Sequence, residues 1–315
     1  MSTSDRKSSD HFSVMLEEAI NGLHIQPDGF YVDATFGRGG HAAKILEQLS
    51  PEGRLLLLDR DPTAVAVARE KYQDDARVTI VHRPFSALQE VLQQLEIHSK
   101  IDGLLLDLGV SSPQLDQSER GFSFMNDGPL DMRMNPQQGV SAAEWLQQAD
   151  QQEIARVLWE YGDERHSRRI ARAIVNDRVE TPFSSTTQLA ELIKRVVPGH
   201  SKKHPATKSF QAIRIEVNQE LQELRQMLDQ LVDLLQAGGR IAIISFHSLE
   251  DRMVKRFFRR CEKGEQDFLP DIPLRSVEYQ GEMKTVGKAQ FPSAQEIEQN
   301  PRSRSAVLRV AEKRA

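Results

Sequence analysis

Between residues 30 and 107 short apolar runs alternate with stretches whose apolar positions recur every three to four residues. That pattern belongs to a parallel sheet with helices on both faces. It predicts strands over residues 30–35, 54–59, 78–82 and 101–107, with helices at about 41–49, 62–72 and 86–95. Pro62 suits a first helical turn, and Asp61 before it suits a cap. The alternation then stops. From Ser111 to about Ile213 no run reads as a strand, whereas 142–148, 152–161 and 166–177 read as helices, so a helical insertion is expected. Sheet logic resumes with one long helix over 214–235, in which Val217, Leu221, Leu224, Leu228, Leu231 and Leu235 fall at alternating spacings of four and three. Ala237-Gly238-Gly239 is expected to stop it, 240–245 to form a fifth, buried parallel strand, and 306–311 to close the sheet as an edge strand. The expected fold is therefore α/β, with a discontinuous core of 1–110 and 214–315 interrupted by an inserted all-helical domain of 111–213. No internal repeat is visible.

Composition narrows the class. With 39% hydrophobic and 28% charged residues, the 315-residue chain can bury a large core and has the length of two domains. Cys261, the single cysteine, makes neither an internal disulfide nor a multi-cysteine zinc site, and it fits a reducing, cytoplasmic setting. No metal site is read. The densest apolar runs, 55–58 and 241–244, are strand-length and far short of the ~18 residues of a membrane span. The first ten residues are polar, lack a secretory stretch and read as a tail. A net charge of −5 argues against indiscriminate coating of nucleic acid, which leaves the decision to local charge.

The strongest chemical signal is Asp33-Ala34-Thr35-Phe36-Gly37-Arg38-Gly39-Gly40-His41, a glycine-rich turn where the first strand passes into the first helix. Glycines there let a ligand approach the backbone and let amides point at it. Asp59 ends the second strand, where a carboxylate can accept from both hydroxyls of a ribose. Phe85 follows the third strand and Asp107 ends the fourth, so four placements converge on the carboxyl edge of the sheet. A dinucleotide site is the competing reading. Gly37-x-Gly39-Gly40 lacks the third glycine of G-x-G-x-x-G, however, and Asp33 is badly placed against a pyrophosphate. S-adenosylmethionine carries a sulfonium and no phosphate, which makes an acid in that loop acceptable.

These residues resemble a particular family, the bacterial 16S ribosomal RNA (cytosine-1402-N4)-methyltransferases. The resemblance runs almost end to end. It includes His11-Phe12-Ser13-Val14-Met15-Leu16, the loop from Asp33 to His41, Asp59-Arg60-Asp61-Pro62, and Asp107-Leu108-Gly109-Val110-Ser111-Ser112-Pro113-Gln114-Leu115-Asp116. It continues through Arg120-Gly121-Phe122-Ser123-Phe124, the run from Gly128 to Met134, His204-Pro205-Ala206-Thr207, Phe210 to Arg214, and Ser245-Phe246-His247-Ser248-Leu249-Glu250-Asp251-Arg252. The resemblance implies a Rossmann-like S-adenosylmethionine-dependent methyltransferase core, a mostly parallel seven-stranded sheet, with an inserted helical domain for RNA recognition. It also implies that Gly39, Gly40 and His41 hold the methionine end of the cofactor, Asp59 the ribose and Phe85 the adenine, with Asp107 and Gln114 closing the site. The product would be N4-methylcytosine near the decoding centre. The implied partner is 16S rRNA within the small ribosomal subunit, with neither DNA nor a membrane expected.

A cytosine amine is a poor nucleophile, so positioning it in line with the methyl group dominates the chemistry. Many amino-methyltransferases place Asn or Asp before two prolines at the end of strand four; here Asp107 is followed by Leu108 and Gly109, and the catalytic acceptor is unknown. His247 is either a proton-handling group or a helix-entry residue. Asp131 either faces the cleft or anchors its loop to Arg133. Residues 165–214 carry eleven Lys or Arg against three acids, Asp177, Glu180 and Glu191. Arg165, Arg168, Arg169 and Arg172 share one helical face, either simply solvated or used for phosphate, with Lys202, Lys203 and Lys208 as a second cluster. Arg252, Lys255, Arg256, Arg259 and Arg260 form another run after His247 that suits an RNA backbone entering the cleft. A recessed methyl donor calls for a flipped-out or single-stranded base. Competing readings are a methyltransferase acting on another RNA, DNA or protein, or a ribosome-assembly factor with vestigial cofactor binding.

Overall fold

The computed structural model describes residues 13–198, 204–263 and 281–315. His11, Phe12, the expected N-terminal tail, Lys202 and Lys203 lie outside them. The chain divides into two compact units, one made of residues up to Gly109 and from Arg225 onward, the other of Val110–Leu224.

The first unit begins with α1 (Leu16–Leu23), β1 (Phe30–Asp33), α2 (Gly40–Gln48), β2 (Arg54–Asp59) and α3 (Pro62–Tyr72). It continues with β3 (Val78–His82), α4 (Leu88–Gln94) and β4 (Ile101–Asp107). The second unit holds α5 (Ser112–Asp116), α6 (Ala142–Gln148), α7 (Gln151–Glu160), α8 (Ser167–Glu180), α9 (Thr186–Val196) and α10 (Ala206–Asn218). Helix α11 (Glu220–Leu234) leads back to the first unit, completed by β5 (Leu235–Ser245), α12 (Ser248–Lys263), β6 (Met283–Thr285), α13 (Ala294–Gln299) and β7 (Val307–Lys313).

Among the described residues the sheet has seven strands in the order β3-β2-β1-β4-β5-β7-β6. The first five run parallel, and β7 is antiparallel to both β5 and β6. Every residue of β1 and the leucines of β2 are buried, as a central strand covered on both faces requires. Tyr31, Leu55, Leu57, Leu105, Ala242 and Ile244 face the side covered by α1, α2 and α3, in one cluster with Ala19, Ile45 and Ala68. No helix among the described residues is long and apolar enough to cross a membrane.

Three expectations are corrected. The helix expected over 214–235 is two helices, because Gln219 takes a left-handed φ of 52°. Asn218, 2% exposed, turns inward there: its Nδ2 donates to Met132 O at 2.7 Å and its Oδ1 accepts from Met134 N at 2.7 Å. The strand expected at 306–311 is not an edge, since β6 pairs on its outer side. The helix before the fifth strand ends at Leu234, and Gly238 (φ 79°) instead sits in the irregular first stretch of β5, where the pairing with β4 shifts.

The second unit has no strand among its described residues and carries its own apolar core, including Leu146, Ile154, Val157, Leu158, Ile170, Ile174, Leu189, Ile193 and Ile213. Side chains close its helix starts: Ser141 and Asp150 accept from the amides of Glu144 and Glu153.

Candidate active site

Three carboxylates end three neighbouring parallel strands, Asp33 on β1, Asp59 on β2 and Asp107 on β4. Strand β1 pairs with β2 on one side and β4 on the other, so all three lie along one rim. The strand order reverses between β1 and β4, and open α/β sheets bind ligands outside the carboxyl ends of the strands at such a reversal.

The loop leaving β1 is shaped by glycine. Gly37 (φ 56°) and Gly39 (φ 80°) adopt angles that L side chains avoid, and a Cβ on Gly39 would lie 2.5 Å from Phe36 Cε2. Gly40 opens α2, and a Cβ there would collide with Ser13 Oγ. The amide of Gly37 donates to Asp59 Oδ2 and that of Asp61 to Asp59 Oδ1, each at 2.8 Å. Each oxygen retains a lone pair for a further donor, and the carboxylate is held in one orientation. Thr35 Oγ1 accepts from the Asp107 amide at 2.6 Å, tying the ends of β1 and β4 together.

His41, on the first turn of α2, is 5% exposed. Its Nε2 lies 3.2 Å from Val14 O, which can only accept, so the ring hydrogen sits there. Nδ1 then points its lone pair toward Asp107 Oδ2, 4.0 Å away. Burial lowers the His41 pKa to about 4, which keeps the ring neutral at pH 7.

The rim is strongly acidic. Burial raises Asp33 to about 7 against the hydrogen bond from Thr35, with Asp59 adding to the rise. Burial likewise raises Asp59 to about 6, opposed by the amides of Asp61 and Gly37. Asp107 is pushed well up by burial and then by Asp33, Glu250 and Glu296. Asp33 Oδ2 and Asp107 Oδ1 are buried and accept no hydrogen bond, and none of these three aspartates pairs with Lys or Arg among the described residues. Unpaired buried carboxylates are costly, so this rim suits a cation and repels a pyrophosphate.

The remaining candidates fall out as follows. Phe85 opens a short 3-10 turn just after β3, whose His82 is the register partner of Asp59, and it is half-buried. Gln114 belongs to the second unit, where it is buried and its Oε1 accepts from the Ser111 amide at 2.9 Å. Arg133 forks onto Asp131 at 2.7 and 2.8 Å, so Asp131 anchors its own loop. His247 is held at the entry of α12, with Nδ1 3.4 Å from the Glu250 amide and Nε2 3.2 Å from Glu250 Oε1.

Two acids at this rim carried no sequence-based assignment. Glu250, 2% exposed, accepts from the amides of Phe246 and His247 at 2.9 and 3.3 Å. Its position three residues past His247 at a helix start was the available signal. Glu296 accepts from the Met15 amide at 2.8 Å and acts on Asp107. Nothing local in the sequence points to it, because only the antiparallel pairing of β7 with β5 brings α13 to this edge.

The basic residues of the second unit separate into two kinds. Arg178 donates to the carbonyls of Leu146 and Ala149, Arg195 pairs with Asp177, Lys208 Nζ donates to Asp163 O at 2.7 Å, and Arg214 pairs with Glu220 at 2.7 Å. Arg165, Arg168, Arg169 and Arg172 are exposed and pair with nothing among the described residues.

The family model for the MraW methylase family matches residues 8–314. A protein of Pseudoalteromonas atlantica named ribosomal RNA small subunit methyltransferase H is 56% identical over 307 residues, covering 96% of this chain and 98% of its own length. One of the same name from Thioalkalivibrio sulfidiphilus is 56% identical over 315 residues, covering 99% and 100%. A solved rRNA methylase from Streptococcus thermophilus aligns over 96% of this chain and 95% of its own at 11% identity, with a TM-score of 0.42.

Proposed function

The chain belongs to the MraW methylase family, and from that premise we propose that it methylates N4 of cytosine 1402 in 16S rRNA of the small ribosomal subunit, with S-adenosylmethionine as donor. The coarse activity, methylation of small-subunit rRNA, is what both 56%-identical relatives are named for. The nucleotide and atom rest on the sequence resemblance. One structural observation carries the cofactor class: buried carboxyl oxygens of Asp33 and Asp107 without partners flank the strand reversal beside a glycine loop. Such a rim favours a sulfonium over any phosphate-bearing cofactor.

The residues present fit that donor, which when bound supplies a methyl group made electrophilic by its sulfonium. The free lone pairs of Asp59 would accept from the ribose hydroxyls, and Gly39, Gly40 and His41 would hold the methionine end. Phe85 would hold the adenine. The sequence resemblance also assigns Gln114 to the cofactor. Asp107 Oδ1 is an acceptor for an amine hydrogen of the target base, and the buried Nε2 of His247, which makes no hydrogen bond among the described residues, leaves that ring a second candidate for handling the proton. Orientation supplies most of the rate, because a weak nucleophile must be held in line with the methyl group.

The deciding experiment incubates purified protein with labelled methyl donor and small subunits from a strain lacking the gene, then locates the label by mass spectrometry. Label on N4 of cytosine 1402 is expected. Label on another nucleotide or on protein overturns the assignment.

A further inference from the structure

Helix α12 leaves the sheet at the rim that carries Asp107: Ile244 of β5 is the register partner of Asp107, and α12 begins at Ser248. Arg252, Lys255, Arg256 and Arg259 recur on it at the spacing that puts residues on one face. All four are exposed, and none has a hydrogen bond or ion pair among the described residues. The acids of the same helix are turned elsewhere. Glu250 is buried on the amides of Phe246 and His247, Asp251 receives Arg309 at 2.7 Å, and Glu262 receives the amide and hydroxyl of Thr285. A further cation stands at the head of the row: Arg304, exposed and unpaired among the described residues, precedes β7, whose Val307 pairs with Ser245 at the same rim.

In a chain of net charge −5, four cations kept clear of every acid among the described residues are not explained by the packing of those residues. We propose that this face of α12, with Arg304 at its head, is a track for the phosphates of the rRNA strand flanking the target base, leading that strand to the Asp107 rim. The inference rests on the chain being an rRNA methyltransferase. The face is about 10 Å long at 1.5 Å per residue, enough for a few consecutive phosphates. Val254, Phe257 and Phe258 of the helix are buried, so the stripe lacks the exposed apolar residues by which an amphipathic helix enters a membrane surface. Arginines forking onto phosphate oxygens suit such a strand, and their effect must weaken with salt.

The test uses the full-length triple variant Lys255→Gln/Arg256→Gln/Arg259→Gln, with Arg256→Lys/Arg259→Lys as the charge-preserving partner. Retention of protein-free small-subunit rRNA is measured across KCl concentrations, alongside KM for undermethylated small subunits and the heat of association with adenosylhomocysteine. Loss of three phosphate contacts to a single strand lowers the salt slope by about two, so from 50 to 200 mM the wild type loses about twentyfold more affinity than the triple variant. KM for small subunits rises at least tenfold at low salt, the lysine variant keeps the wild-type slope, and the heat is that of wild type. An unchanged slope in the triple variant overturns the track. So does a raised KM on whole subunits with an unchanged slope on naked rRNA, which assigns the face to an acidic protein partner. A lysine variant that behaves like the glutamine one removes charge as the cause and also overturns it. Should wild-type protein transfer no methyl to rRNA, the proposed function fails, while the slope still decides the track.

Discussion

Asp33 is 1% exposed, pairs with no cation among the described residues and keeps one oxygen without a partner. Its folded pKa of about 7 lies above the 3.8 of an ordinary aspartate, so between those values the folded chain binds more protons than the unfolded one. Stability from this group therefore falls as pH rises from about 4 to about 7, and is level above that. Asp33→Asn removes the slope. Chemical denaturation at pH 5 and pH 8 is expected to show the variant gaining on wild type at the higher pH, by an amount on the order of a few kcal/mol; an equal difference at both pH values contradicts the reading. The same carboxyls give ligand binding a charge signature. A sulfonium favours their ionised forms, so S-adenosylmethionine binding releases protons near pH 6–7 and tightens as pH rises, whereas neutral-sulfur adenosylhomocysteine does so less. Calorimetry in buffers of different ionisation enthalpy reads the difference, and identical proton release for both ligands is incompatible with it. Gly39→Ala places a Cβ at φ 80° against Phe36; about 1–2 kcal/mol of stability should go, together with most of the cofactor affinity.

At the level of elements, helix entries organise the site. Glu250 closes the start of α12 by taking two backbone amides. Glu250→Ala leaves those donors without an acceptor at a buried position and is expected to cost about 1–3 kcal/mol, seen as a lowered melting temperature. Helix α8 behaves in the opposite way. Its first turn has no acid and its start has no side-chain cap, yet Arg168 and Arg169 stand there beside Arg165, where the helix dipole disfavours cations. Exposed arginines against the dipole do not stabilise α8, so they are either a solvated face or a phosphate-binding one, and the two readings differ in a measurable way. Changing Arg168, Arg169 and Arg172 together to Gln should weaken RNA binding at low salt about tenfold or more and flatten its salt dependence, with cofactor affinity untouched. A slope equal to wild type would leave these residues as a solvated face.

Considered whole, the described residues include an apolar core on one face of the sheet and another among α6 to α10. The second is built from one continuous stretch, so residues 110–224 expressed alone are expected to give a helical circular-dichroism spectrum and a cooperative melt. A non-cooperative melt would mean that this core depends on the rest of the chain.

What the sequence determined by itself is the part governed by short-range rules. Short apolar runs fixed β1 to β4, and a period of three to four fixed α3, almost to the residue, and turn chemistry placed glycines after β1 and the aspartates at the ends of β1, β2 and β4. Backbone angles are also short-range, yet the left-handed Gln219 escaped, because a glutamine carries no signal for φ 52° and Asn218 is held there by the distant Met132 and Met134. Tertiary structure alone decided that β7 lies inside β6, that Glu250 and Glu296 crowd Asp107, and which arginines are engaged. Hydrogen-bond register and charge pairing join residues far apart in the chain, so periodicity can count the cations of α12 but only the packed chain shows that its acids are turned away from them.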